Sequence, residues 1–143
     1  MKSDFAESVR KEVLELHHFF ERWFNGIPPK SEEAFARVTS VWFEPFSLID
    51  PRNKIHDAAS LLTETFNFHG AFPHLKIGIH DLSVRAAVDS NVAIACYEEW
   101  HIDTLEKEIR TCSATLVRHA PGPLGVKWLH INESSCSQPN NAI

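Results

Sequence analysis

The sequence contains little cysteine and none of the spacings through which cysteine stabilises small proteins. Its three cysteines, Cys96, Cys112 and Cys136, are an odd number without a C-x-x-C pair. This is typical of reduced thiols and not of a disulfide framework or a zinc ribbon. We interpret Cys96 and Cys112 as small apolar residues of a core. A chain of 143 residues is long enough to bury such a core without cross-links.

Long apolar runs and an excess of positive charge are also missing. No stretch of about 18 apolar residues is present, as a membrane span requires, and the first residues lack the apolar centre of a signal peptide. Lys and Arg number 14 against 19 Asp and Glu, which gives a net charge of −5. No basic cluster offers a face for phosphates. The sequence therefore predicts a cytoplasmic protein without a nucleic-acid or membrane partner.

Familiar catalytic and metal-binding signatures are absent as well. The sequence has no G-x-x-x-x-G-K-[ST], G-x-G-x-x-G or G-x-S-x-G motif, which argues against a phosphate cradle and a hydrolase elbow. Nine histidines are present, but without H-E-x-x-H. His101 and Asp103, two apart on a predicted strand, could share an ion, although an exposed polar face explains them better. We therefore predict no metal and no cofactor.

The hydrophobic pattern of the first half has the period of an α-helix. Ser31 and Asp57 are suited to cap a second and a third helix, which Pro45 and Gly70 end. A short strand over 46–49 and a turn at 50–53 separate these two helices. The apolar stripe of the first helix consists of Phe5, Val9, Val13, Leu16, Phe20, Trp23 or Phe24, and Ile27.

From Leu75 onward the period drops to two, which predicts strands over 75–88, 92–102, 108–119 and 126–133. A change of phase between Ile79 and Leu82 indicates a bulge. We expect a tight turn at 89–91 and wider loops at 103–107 and 120–125. Helices followed by such strands predict an α+β fold, with three helices on one face of a curved, mainly antiparallel sheet that encloses a pocket. We expect one domain over 1–134 and a loose tail over 135–143.

The faces of the second long strand suggest a candidate catalytic acid. Every second residue of this strand lies on one face, and the face with Val92, Ile94, Trp100 and Ile102 is the more apolar of the two. We therefore expect that face to lie against the helices. Glu98 belongs to the same face, and burial among apolar neighbours suits a carboxylate to proton transfer. The alternative is that Glu98 forms an ion pair with an arginine, the candidates being Arg85, Arg110 and Arg118.

Two histidines have open alternatives. His17 lies at the edge of the first helix's apolar stripe, where it could act as a base, bind a ligand, or be a satisfied histidine of the core border. His130 shares a face of the last strand with Trp128 and Asn132. It lines the mouth of the cavity or meets a partner subunit, and alternation alone does not decide between the two.

The order of the elements, with the short Phe-Ser-Leu-Ile-Asp-Pro segment at 46–51 and the final Trp-Leu-His-Ile-Asn-Glu-Ser segment at 128–134, resembles the nuclear-transport-factor-2-like (NTF2-like) superfamily. The resemblance covers about residues 5 to 134 and is strongest to the SnoaL-like branch. It implies a cone-shaped half-barrel, a homodimer formed through the sheet, and a pocket for a small, mostly apolar molecule. Members include isomerases, dehydratases, polyketide cyclases and non-catalytic modules, so the fold alone does not define the function.

The resemblance also implies roles for individual residues. Asp50 falls where the ketosteroid isomerases of this superfamily hold a proton-shuttling Asp. Phe19 replaces their oxyanion tyrosine and Thr115 their second acid, so we expect no steroid isomerisation, because the oxyanion would lack its donors. Asp50 is then a base for another reaction or a residue that caps its own turn, and both alternatives stay open.

The residues that the resemblance turns towards the pocket include Thr111, Ser113, Thr115, Val117 and His119. Aromatic walls are predicted from Trp42, Phe66 and Trp100, which alternatively fill the core. Two functions follow. The first is a small-molecule-binding protein of SnoaL-like type which, if catalytic, is an isomerase, hydrolyase or cyclase using Asp50 or Glu98. The second is a non-catalytic dimerising module with a filled cone. The predicted ligand-binding residues are His17, Trp42, Phe66, Trp100, Ser113, Thr115, His119 and His130.

Overall fold

Three helices and six strands make up the computed structural model, which describes residues 4–136. The helices are α1 (Asp4–Asn25), α2 (Glu32–Thr39) and α3 (Ala58–Asn67). The strands are β1 (Ser47–Ile49), β2 (Ile55–Asp57), β3 (Lys76–Ala86), β4 (Val92–Asp103), β5 (Glu106–Arg118) and β6 (Val126–Ser135). None of these helices is long and apolar enough to cross a membrane. β6 continues into the predicted tail, and residues 137–143 of that tail lie outside the described residues.

α1 is the long amphipathic helix that the sequence predicts. Its stripe from Phe5 to Trp23 is buried. Ile27 does not belong to the stripe, since it follows the helix and is 59% exposed. Gly26 ends the helix with a φ of +80°, a conformation that favours glycine. A Cβ built on Gly26 would lie only 3.1 Å from the Cα of Gly70, so the ends of α1 and α3 meet at two glycines.

Side-chain caps start the two shorter helices at the predicted residues. The Ser31 hydroxyl accepts a hydrogen bond from the Ala34 N–H (3.1 Å), and the Asp57 carboxylate accepts one from the Ser60 N–H (2.8 Å). Each satisfies a backbone donor that a helix start leaves free. β2, which the sequence did not indicate, ends at the Asp57 cap and pairs with β1.

The six strands form one sheet in the order β2-β1-β6-β5-β4-β3, in which only β1 and β6 pair in parallel. The predicted bulge in β3 is confirmed by a register shift between His80 and Ser83, with Asp81 at a φ of 55°. Two of the predicted loop lengths are reversed, because residues 104–105 alone join β4 to β5, whereas five residues join β3 to β4. The wide loop predicted at 120–125 is confirmed between β5 and β6. The predicted α+β fold class is confirmed.

The predicted orientation of β4 is wrong. Ala93, Ala95, Tyr97 and Glu99 are buried on the inner face, which the helices cover, whereas Ile94 is 45% exposed on the outer face. α1 carries large side chains towards the sheet and approaches it closely, so that small residues are needed opposite it. The face with the smaller and less hydrophobic residues is therefore the buried one.

The predicted faces of β5 and β6 are wrong as well. In β5 the buried residues are Cys112, Ala114 and Leu116, so the face with Ser113 and Thr115 points outward. The pairing of β5 with β6 skips one residue of β6: Thr115 pairs with His130, but the next residue of β5, Leu116, pairs with Trp128. At this point the buried face of β6 passes from the residues in step with Trp128 to those in step with Ile131. His130 therefore does not share the buried face of Trp128.

Aromatic side chains fill most of the space between helices and sheet. Trp23, Trp128 and Phe46 are at most 1% exposed. One carboxylate is buried among them: Glu12 of α1 accepts hydrogen bonds from both terminal nitrogens of Arg37 (2.8 and 3.2 Å) and from the Trp128 indole (2.9 Å). A buried charge needs such partners, and this group joins α1, α2 and β6.

Candidate ligand-binding site

A cleft of about 760 Å³ opens between the end of α3 and the β4–β5 hairpin. One wall is aromatic: the rings of Phe24, Phe68 and Phe72 pack edge to face with centroids 5.6 to 6.4 Å apart. The opposite wall is polar and includes His101 and Arg110. We call this space the mouth cleft.

His101 connects the mouth cleft to a carboxylate in the interior. Glu99 is 6% exposed, and its Oε2 is 2.5 Å from His101 Nε2. Its Oε1 lies 3.2 Å from Nε2 of His17, which α1 presents to the sheet. Glu99 therefore lies between two imidazoles, one fully enclosed and one on the wall of the cleft.

The hydrogen bonds of His17 define its protonation. Its Nδ1 is 2.8 Å from the Val13 carbonyl oxygen, which can only accept, so Nδ1 carries a proton. Burial lowers the pKa of His17, but the charge and hydrogen bond of Glu99 raise it above its ordinary value. Burial raises the pKa of Glu99, yet the two histidines hold it well below the usual range. Both shifts favour an imidazolium paired with a carboxylate.

A second buried carboxylate, Glu133, lies close to the first. It binds Arg110 at 2.9 Å, and the same guanidinium donates to Glu108 at 3.0 and 3.2 Å on the cleft side. Burial and the negative charge of Glu99 raise the pKa of Glu133 to about 7, against the lowering effect of Arg110. The cleft thus borders a network of two buried carboxylates.

The structure places Glu98 and Trp100 on the outer face of the sheet, away from the mouth cleft. The Trp100 indole donates to Glu98 Oε1 at 3.0 Å. Within residues 4–136, Glu98 has neither the buried apolar setting nor the arginine partner that the sequence predicts. Ser113 and Thr115 also lie on the outer face.

Asp50 lies in the β1–β2 turn and is bound by that turn. Its Oδ1 accepts hydrogen bonds from the N–H groups of Arg52 (2.8 Å) and Lys54 (3.0 Å), and its Oδ2 lies 2.8 Å from His56 Nε2. These hydrogen bonds lower the pKa of Asp50 to about 2, and the one from His56 has the largest effect. The arrangement matches the turn-capping alternative.

The other two predicted aromatic walls, Trp42 and Phe66, pack in or against the core. Trp42 is 5% exposed and stacks on Phe46 with ring centroids 4.7 Å apart. Phe66 packs against Trp23 and Phe35, beside a shallow groove between α2 and α3. Neither residue lines the mouth cleft.

The three predicted histidines lie in separate places. The His119 ring is 5.3 Å from that of Phe43, and His130 Nδ1 is 3.0 Å from the Ser47 hydroxyl on the neighbouring strand. His17 alone among the predicted ligand-binding residues reaches the mouth cleft, and it does so indirectly, through Glu99 and His101.

Sequence reasoning missed Glu99, Arg110 and Glu133 as members of a site. Glu99 alternates with the more apolar residues of β4, a pattern that predicts a place on the solvent side. The alanines at 93 and 95 on the same face were the available signal, because small residues in a long strand indicate a closely packed helix.

Residues 4–136 form three helices and a six-stranded, mainly antiparallel sheet, and the chain has the NTF2-like fold. A solved NTF-2-like protein of unknown function from Pseudomonas aeruginosa has a TM-score of 0.80, 24% identity, and coverage of 91% of this chain and 99% of that one. An NTF2-like protein from Streptomyces avermitilis, proposed to be a dehydratase, has a TM-score of 0.74, 14% identity, and coverage of 96% and 100%. The S. rosetta CaMKII hub has a TM-score of 0.70, 14% identity, and coverage of 92% and 96%.

No protein-family model matches the chain, and no curated protein sequence does. The predicted NTF2-like fold is confirmed by the structures. Membership of the SnoaL-like branch stays a prediction.

Proposed function

We propose that the protein is a SnoaL-like small-molecule-binding protein whose ligand occupies the mouth cleft. The observation that supports this is the cleft itself: about 760 Å³ of space in which an aromatic wall faces polar groups. Clefts of this size bind small molecules, with apolar surface for affinity and a few fixed polar groups for orientation.

The ligand's apolar part packs on Phe24, Phe68 and Phe72, and its polar part bonds to His101. Because Glu99 binds Nε2 of His101, the ring is held in one orientation. Nδ1 of His101 has no protein partner within residues 4–136 and is free for a ligand. This arrangement fits a small molecule that is mostly apolar and has one hydrogen-bonding end.

Binding is favoured over catalysis by the positions of the predicted acid–base residues. Asp50 caps a turn and Glu98 lies on the outer face, so neither faces the cleft. An isomerase, hydrolyase or cyclase reaction at either residue stays a prediction. The dehydratase proposed for the S. avermitilis neighbour is the catalytic alternative within the same fold.

A thermal-shift screen against hydrophobic metabolites tests the proposal. A compound that binds the folded protein at about 100 times its Kd stabilises it by about 2.7 kcal/mol and raises Tm by several degrees. Phe68→Ala should weaken that compound about tenfold, because part of the aromatic wall is lost.

Leu14→Ala is the matched control, since Leu14 is a similarly exposed apolar residue of α1 outside the cleft. Equal weakening by both substitutions, or no shift with any compound, would contradict binding in the cleft.

A second candidate function, the dimerising module, is favoured by the outer face of the sheet. Val92, Ile94 and Ile102 of β4 are 39 to 45% exposed there. Exposed apolar side chains on one face are typical of an interface, and the resemblance implies a homodimer through this sheet. The interior filled by Trp23 and Trp128 also fits this function.

A further inference from the structure

Three potential metal ligands from three different strands meet on the inner face of the sheet. The ligand atoms of Glu99, Cys112 and Glu133 all lie within 4.8 Å of one another, and each residue is at most 7% exposed. A fourth donor comes from α1, since His17 Nε2 is 3.2 Å from Glu99 Oε1.

The distances around Glu99 Oε1 match those between ligands of a tetrahedral zinc ion. Bonds of about 2.0–2.2 Å to N or O and about 2.3 Å to S separate tetrahedral ligands by about 3.3 Å for N and O and about 3.6 Å for S and O. The observed separations from Glu99 Oε1 are 3.2 Å to His17 Nε2 and 3.8 Å to Cys112 Sγ. Glu99, Cys112 and Glu133 lie within 4.8 Å of one another, whereas His17 lies outside that group, so its ring has to move towards the other ligands to complete the set.

The outer partners of His17, Glu99 and Glu133 leave one ligand atom of each available. His17 Nδ1 donates to the Val13 carbonyl, which leaves Nε2 for a metal. Glu99 Oε2 is bound by His101, and Glu133 Oε1 by Arg110. Metal-binding histidines and carboxylates are usually held by such second hydrogen bonds.

An unsatisfied hydroxyl provides an independent sign that the protein alone does not complete this cluster. Tyr97 is 3% exposed, and its buried OH has no partner within residues 4–136. It lies in the same row of the sheet as Cys112 and Glu133, and their charges act on it. Buried hydroxyls without a partner are rare and require an explanation, for which an ion or its bound water is suited.

We propose that His17, Glu99, Cys112 and Glu133 bind a divalent transition-metal ion of the zinc class. One nitrogen, one sulfur and two carboxylates suit zinc, whereas magnesium and calcium prefer oxygen alone. Binding releases to solvent the protons on His17 Nε2 and Cys112 Sγ and the proton that Glu133 carries in part near neutral pH, so affinity falls as pH is lowered. No spacing in the sequence predicts this set, because its ligands lie at 17, 99, 112 and 133. The proposal does not depend on a ligand in the mouth cleft.

Cobalt(II) titration of the full chain, stripped of metal with EDTA and kept reduced, tests the site. One equivalent of Co²⁺ should produce the near-ultraviolet thiolate-to-cobalt absorption and the visible bands of tetrahedral coordination, and Zn²⁺ should abolish both by competition. Cys112→Ser should remove the thiolate absorption and weaken Zn²⁺ binding by about tenfold or more. Cys96→Ser, on the outer face, should change neither.

Glu133→Gln is the second variant, which keeps the test decisive if Cys112→Ser fails to fold. It should retain the thiolate absorption but weaken Zn²⁺ binding by about tenfold or more. The proposal is overturned if Co²⁺ produces no thiolate absorption, or if zinc affinity in a folded variant equals that of the wild type. Unchanged zinc affinity in a folded variant would indicate that the ion binds at surface histidines. Neither result bears on ligand binding in the mouth cleft.

Discussion

Asp50 accepts two backbone hydrogen bonds and lies beside His56, so its charge stabilises the β1–β2 turn. A general base works best when its pKa is close to the working pH. The pKa of Asp50, lowered to about 2, makes it a weak base at neutral pH. At this position the structure favours a role in folding.

Replacing Asp50 by Asn should therefore reduce stability in a pH-dependent way. The pKa of Asp50 is depressed from its usual 3.8 to about 2 in the folded chain. Its contribution is present above about pH 4 and is lost as pH falls towards 2. We expect Asp50→Asn to have a lower Tm than the wild type at pH 7, and the difference to shrink between pH 4 and pH 2. Thermal melts across this range measure it.

Glu44→Gln is the control for this experiment, since Glu44 is an exposed carboxylate without a hydrogen-bond or ion-pair partner within residues 4–136. Its Tm should follow the wild type at every pH. A constant Tm difference for Asp50→Asn down to pH 2 would show that the charge on Asp50 does not stabilise the turn.

The elements were predicted more reliably than their faces, and the reason is physical. Caps such as Ser31 and Asp57, and the bulge near Asp81, depend on local backbone chemistry that a few neighbouring residues define. The face that a strand buries depends on what packs against it. Ala93 and Ala95 are buried because α1 lies over them, and that contact links residues distant in sequence. The candidate site was missed for the same reason, since Glu99 and His17 meet only in the folded chain.

The β4–β5 hairpin contains a turn residue that its sequence does not suit. Asp103 pairs with Glu106, so Thr104 and Leu105 alone form the turn, and Thr104 has a φ of 46°. A positive φ is unfavourable for a β-branched residue and neutral for glycine. This conflict explains why the sequence predicts a wider loop at 103–107.

Thr104→Gly should increase the free energy of unfolding by up to about 1 kcal/mol, because the strain at this φ is removed. Urea denaturation measures the change. Leu105→Gly is the matched control: Leu105 is 99% exposed and its φ is not positive, so glycine there only adds freedom to the unfolded chain. An equal or greater loss of stability for Thr104→Gly would mean that Thr104 is not strained.

For the whole molecule, the two sides of the sheet correspond to the two candidate functions. The inner face and the mouth cleft hold the buried carboxylates, whereas the outer face carries exposed Val92, Ile94 and Ile102. The two proposed functions, ligand binding and dimerisation, would therefore use different surfaces. A substitution on the outer face can test the dimer without altering the cleft.

Ile94→Lys should convert a dimer into a folded monomer. Ile94 is 45% exposed on β4, beside Arg85 and Thr115, so a lysine is accommodated in the single chain. In a twofold interface it would bring a charge from each protomer into apolar contact, which is costly unless the charges are paired. Light scattering coupled to size-exclusion chromatography measures the mass, and circular dichroism the fold. Val88→Lys, at an 80% exposed residue of the β3–β4 loop, is the control that should stay dimeric. A wild-type monomer at micromolar concentration, or a dimer that persists in Ile94→Lys, would contradict dimerisation through this face and leave ligand binding as the better-supported function of the fold.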